Sequence, residues 1–119
     1  MPFLFEKLVV YQKSVDVAEK VLALTDGFPK GTFHLADQLN RAAVSISANI
    51  AEGNGRWHAK DRHHFFLIAR GSSFECVPLL ELARRKGLVE VAVQEEMKRG
   101  LDEIGAMLSG LMKPKENQP

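Results

Sequence analysis

Five polar residues recur at steps of three and four between positions 38 and 52: Gln38, Arg41, Ser45, Asn49 and Glu52. On a helix, where successive residues turn by about 100°, they fall within about 80° of one another and form one continuous ladder. Its chemistry would be acid–base, with Glu52 as a carboxylate base and Arg41 or Arg56 as an electrostatic clamp. A base needs a positioned nucleophile and a pocket, and the sequence supplies neither. The ladder is therefore expected to be structural. Arg41 pairs with Glu52 or Glu75, and Gln38, Ser45 and Asn49 complete a hydrogen-bonded network inside or between folded units. No catalytic residue and no enzymatic activity are expected.

Other reactive types resolve in the same direction. Gly53-Asn54-Gly55 follows a helical stretch and lacks the Lys-Ser/Thr ending of a phosphate loop, so it is expected to be a helix C-cap and a tight turn that returns Arg56 toward the ladder. His63 and His64 diverge by about 100° on a helix, and with His58 they complete no four-ligand set, so neither metal nor cofactor is expected. The sole cysteine, Cys76, falls on a core face as a small hydrophobe. One cysteine also excludes an intrachain disulfide and fits a reducing compartment, here the cytoplasm.

One region is distinctly basic. Residues 54–86 hold seven Lys or Arg against three acids, whereas the chain as a whole carries a net charge of +1. Arg56, Lys60, Arg62 and Arg70, with Trp57 beside them, form the candidate nucleic-acid surface, since cations neutralise phosphates and an aromatic ring stacks on an unpaired base.

The elements that must carry these residues are helical. Periodicity predicts four helices and almost no strand: Phe5 to Asp26, Thr32 to Glu52, Ala59 to Lys86 and Glu90 to Met112. The first is expected to bury Leu8, Tyr11, Val15, Ala18 and Leu22; the second, Leu35, Leu39, Ala42, Ala43, Ile46 and Ile50. In the third, Phe65, Ala69, Ser72, Cys76, Leu79, Leu80 and Ala83 share a side, and in the fourth Met97, Leu101, Ile104, Leu108 and Leu111 do. Short connections make consecutive helices antiparallel neighbours, which predicts an all-α, up-down four-helix bundle over residues 1–112, followed by a flexible tail over 113–119. No apolar run approaches the length of a membrane span, and neither a membrane partner nor a small-molecule substrate is expected.

Two helices lack an ordinary wet face. The far side of the second carries Val44, Ala48 and Ala51, and the third lines up Leu67, Gly71, Phe74 and Pro78 opposite its core stripe. Contiguous exposed apolar surface marks a contact site, so the bundle is expected to associate with copies of itself through these residues. Pro78 lies inside the third helix and predicts a kink or a local break.

The stretch LADQLNRAAVSISANIAEGNGR, followed by FFLIARGSSFE, resembles the signature of the four-helix-bundle family that includes proteins encoded in intervening sequences of bacterial 23S ribosomal RNA genes. The resemblance extends from about Leu8 to Leu111, and its most specific residues are Gln38, Arg41, Ala42, Ser45, Asn49 to Gly53, Arg56, Ala69, Gly71, Ser72 and Glu75. It implies a cytosolic, ring-like homopentamer with no established enzymatic activity. A similar subfamily serves as the accessory protein of retroelements, where it binds a reverse transcriptase and nucleic acid. Pro78, Cys76 and His34 depart from the family pattern. The expected function is a non-enzymatic oligomeric scaffold or interaction module. The competing account is an RNA- or DNA-binding accessory protein whose basic surface repeats around the ring, and a partner protein fits either.

Overall fold

A computed structural model describes residues 3–114; beyond Pro114, the expected tail lies outside the described residues. After a one-turn 3₁₀ helix, Leu4–Lys7, four α-helices follow: α1 Val9–Asp26, α2 Phe33–Asn54, α3 Ala59–Arg85 and α4 Val91–Met112. Each packs on its chain neighbours, α4 also packs on α1, and the result is an up-down bundle with extents of 55 × 29 × 20 Å. The described residues contain no strand.

The core runs along the bundle axis, with Val21, Leu39, Ala43, Ile46, Ile50, Leu80 and Ile104 sealed from solvent. The stripe expected of α2 is the one observed, except that Leu35 is only half-buried. In α1 the expectation holds for Ala18, which is buried, and for Leu8 and Tyr11, which pack half-buried on the core, and fails for the other two. Val15 and Leu22 are exposed, while Val10, Ser14, Val17, Val21 and Thr25 turn inward with Ala18. The two hydroxyls enter the core because each finds an acceptor: Ser14 donates to the Tyr11 carbonyl of its own helix at 2.6 Å, and Thr25 lies 2.7 Å from Asn40 Oδ1 on α2, with the Leu22 carbonyl at 3.2 Å as its longer alternative. The same device puts Ser73, bonded to the Arg70 carbonyl, inside α3 where Ser72 was expected, and Phe66 takes the place of Phe65. In α4, Leu111 lies outside and Gly105 inside.

Helix ends follow local chemistry. α3 ends in paired bonds, Leu88 N–H to the Ala83 carbonyl at 2.9 Å and Gly87 N–H to the Arg84 carbonyl at 2.8 Å, with Gly87 at φ +78°, the left-handed conformation that favours glycine. Gly53 was expected to stop α2 and does not. The helix continues to Asn54, and Gly53 is buried inside it against the Phe66 ring and the Cβ of Phe65. The local break expected at Pro78 is also absent, because α3 runs through it without interruption.

Candidate assembly face and basic corner

The polar ladder is geometrically on one side of α2, but the structure divides it. Arg41 points to solvent and pairs with Asp37 one turn earlier at 3.0 Å, rather than with Glu52 or Glu75. Gln38 and Glu75 are exposed and make no side-chain hydrogen bond among the described residues. Only the middle of the ladder faces α3. Ser45 and Ser72 share a hydrogen bond of 2.9 Å, and the Asn49 amide donates to the Ser45 carbonyl and hydroxyl at 2.9 and 3.0 Å. The expected six-residue network is therefore a three-residue bridge between α2 and α3, flanked by surface ion pairs. An arc of 80° is wide enough for one edge to meet a neighbour while the other stays in water.

Glu52, the candidate base, is exposed and held by Arg56 at 2.5 Å across one helical turn, while the Arg56 guanidinium lies over the Phe65 ring, 4.6 Å from its centroid. The turn at residues 55–58 thus returns Arg56 to Glu52, as the spacing implied. Arg62 fastens the turn from the other side, donating Nη1 to the carbonyls of Arg56 at 3.3 Å and Trp57 at 2.9 Å. Arg70 lies over Phe74, 4.4 Å from the ring centroid, with its Nε buried and unpaired. Of the five residues proposed for nucleic acid, three arginines are therefore engaged within the chain, and Lys60 and Trp57 face solvent. Trp57 is 90% exposed.

The α3 outer face is apolar over most of its length. Leu67 is 57% exposed, Phe74 53% and Leu82 53%, and Ile68, Gly71 and Pro78 lie exposed among them. Leu82 and Ile68 were missed in the sequence. Ile68, Glu75 and Leu82 recur at steps of seven beside the stripe that was recognised, which is the signal that would have found them. On α2, Val44 and Ala48 are exposed and Ala51 is half-buried.

Between α3 and α4 the same face deepens into an open groove of about 540 Å³. Its floor is Phe74, Val77, Pro78 and Leu101, and charged side chains rim it on α4. Deeper toward the α3 C-terminus, Glu81 joins the two helices. It accepts from Arg84 at 2.7 Å, from the buried Gln94 at 2.6 Å and from Arg85 at 2.8 Å, and these donors, Arg84 first, pull its carboxyl down to about 2. Burial, with a smaller contribution from the Glu75 charge, pushes the Cys76 thiol up to about 12, so it remains a protonated core side chain. Among the described residues no group of three His, Cys, Asp or Glu is arranged to hold a metal ion, and no helix is long and apolar enough to cross a membrane.

Fold and surface together define a small antiparallel four-helix bundle with an uncovered apolar face. The chain belongs to the 23S rRNA-intervening sequence protein family, whose model matches residues 6–110. Among solved structures it is similar to a protein of unknown function from the S23 ribosomal protein family of Bacteroides thetaiotaomicron VPI-5482, at 26% identity and a TM-score of 0.82, over 89% of this chain and 100% of that one. No curated protein matches the chain.

Proposed function

We propose that this protein is a non-enzymatic, self-associating scaffold that works in the cytoplasm. The observation that carries this reading is the α3 outer face, where Leu67, Phe74 and Leu82 all stand more than half exposed on one side of a single helix. Such a face is costly in water and is covered in an assembly. Gly71 supports the reading, since a Cβ built there meets no atom within 4 Å and the backbone is open to close approach. The polar residues that suggested catalysis are engaged in pairs, which leaves Glu52 poorly suited to serve as a base. A ring of five is the count that the family resemblance implies.

Nucleic-acid binding is the weaker account, because Arg56, Arg62 and Arg70 are committed to partners within the bundle. The test is mass in solution. Light scattering at micromolar concentration is expected to give a multiple of the 13.3 kDa chain, near five. Leu67→Asp is expected to lower that mass while leaving the helical circular dichroism intact. A monomer at every concentration would refute the reading.

A further inference from the structure

A ring requires two different surfaces that fit each other, because a face that meets its own copy gives a two-fold dimer. The α3/α4 groove is one such surface, and its chemistry is specific. The floor of Phe74, Val77, Pro78 and Leu101 is apolar. Pro78 has no N–H, so the Phe74 carbonyl at the same place lacks the donor that a regular helix supplies. On the rim, Arg99 and Asp102 have no ion-pair partner among the described residues, whereas Lys98 reaches Glu95 at 3.9 Å. The rim thus offers one free acid and one free cation, and an occupant that matches is a flat apolar body carrying a single donor, with a cation on the Asp102 side and away from Arg99.

The chain displays such a group elsewhere. The Trp57 indole has an apolar body and one N–H donor that makes no hydrogen bond among the described residues. Its backbone is anchored, because Arg62 ties down the carbonyls of residues 56 and 57. Unpaired Lys60 stands three residues on. An exposed tryptophan flanked by charge is the residue type that anchors interfaces by filling a pocket on the partner.

We propose that Trp57 of one copy inserts into the α3/α4 groove of a second copy, its indole N–H toward the Phe74 carbonyl and Lys60 toward Asp102. The inference rests on the self-association reading and names the contact that it lacks. The corner joins α2 to α3 at one end of the bundle, and the groove lies about midway along α3, so the contact is head-to-tail and staggers each bundle against the next. Head-to-tail contacts propagate into rings when the rotation closes.

Trp57 is the only tryptophan, so its fluorescence reports the contact directly. The full chain is followed over a dilution series by emission and iodide quenching, with light scattering on the same samples. Assembled protein is expected to emit at shorter wavelength and resist quenching, and dilution is expected to reverse both. Trp57→Ala is expected to raise the concentration for half-assembly by about 30-fold, the scale of a lost interface anchor, without changing the fold. Lys60→Asp and Asp102→Lys should each weaken assembly, and the double variant should restore it. An oligomer whose tryptophan emits and quenches as in water, with Trp57→Ala assembling as the parent does, would overturn this contact and leave the assembly reading standing. A parent that is monomeric throughout would remove both. A blue shift seen only when single-stranded RNA is added to the monomer would overturn the contact in favour of base stacking.

Discussion

A Cβ built on Gly53 would stand 2.9 Å from Cε1 of Phe66, and 3.0 Å from Cβ of Phe65. α2 and α3 therefore meet at this end through the bare backbone of one helix and the rings of the other. The Phe65 Cβ is fixed to its backbone and cannot swing aside. Gly53→Ala gains up to about 1 kcal/mol in helix propensity, but it forces an overpacked contact that costs about 1–3 kcal/mol. The contact outweighs the propensity, and urea denaturation is expected to show a net loss of up to about 2 kcal/mol. Gly55→Ala is the control. Its Cβ would meet nothing closer than the Glu52 carbonyl at 3.6 Å, its φ is −79°, and its stability is expected to hold or rise slightly.

This glycine shows what was legible in the sequence. The type and spacing at 53–56 announced a helix end and a returning Arg56, and both occur, with the end two residues later than expected. What the spacing did not carry was the neighbour, since only packing reveals that Gly53 is small because Phe66 is close. The same limit explains α1. A search for apolar periodicity selects Val15 and Leu22, but Ser14 and Thr25 are core residues once their hydroxyls are bonded, Ser14 to its own helix and Thr25 to Asn40 on α2. In α2, where alanine, leucine and isoleucine alone define the expected stripe, the pattern and the burial coincide from Leu39 to Ile50, with Leu35 half-buried. Sequence spacing placed the ladder from Gln38 to Glu52 on one side of α2 but not the boundary between its solvent edge and its α3 edge, which depends on how far the two helices rotate toward each other.

The Ser45–Ser72 bond is the polar link across that boundary. Ser45→Ala removes the partner of Ser72 and one of two acceptors for the Asn49 amide, so chemical denaturation is expected to show a loss of about 1 kcal/mol. Ser72→Ala should cost a similar amount. Since both remove the same bond, the double variant is expected to lose less than the sum of the two, and a fully additive cycle would show that the bond contributes nothing.

Glu81 makes the α3–α4 junction acid-sensitive. Its carboxyl is drawn from 4.5 to about 2 by Arg84, then Gln94 and Arg85, so the folded state holds the ionised form more tightly than the unfolded chain does. The contribution is complete above pH 4.5 and is lost as pH falls from there toward 2. Glu81→Gln cannot ionise. The stability gap between parent and Glu81→Gln is expected to be flat at neutral pH and to narrow through that acid window. A gap independent of pH would show that the donors act on Glu81 no more strongly than water does.

Pro78 separates stability from assembly. In a helix interior proline costs about 3 kcal/mol relative to alanine, because it removes one backbone bond and crowds the preceding turn. Here α3 runs through it without a break, so the lost backbone bond is carried within a continuous helix. Pro78→Ala returns an N–H to the Phe74 carbonyl and is expected to stabilise the isolated bundle by about 1–2 kcal/mol in urea denaturation, part of the full proline penalty. It also removes an apolar ring from the groove floor and occupies the acceptor that Trp57 would use. Assembly measured by light scattering on the same variant is therefore expected to weaken while the bundle gains stability, the opposite signs that arise when a strained residue serves a contact surface. If Pro78→Ala strengthens both, the proline is a tolerated defect of α3 and the groove owes nothing to it.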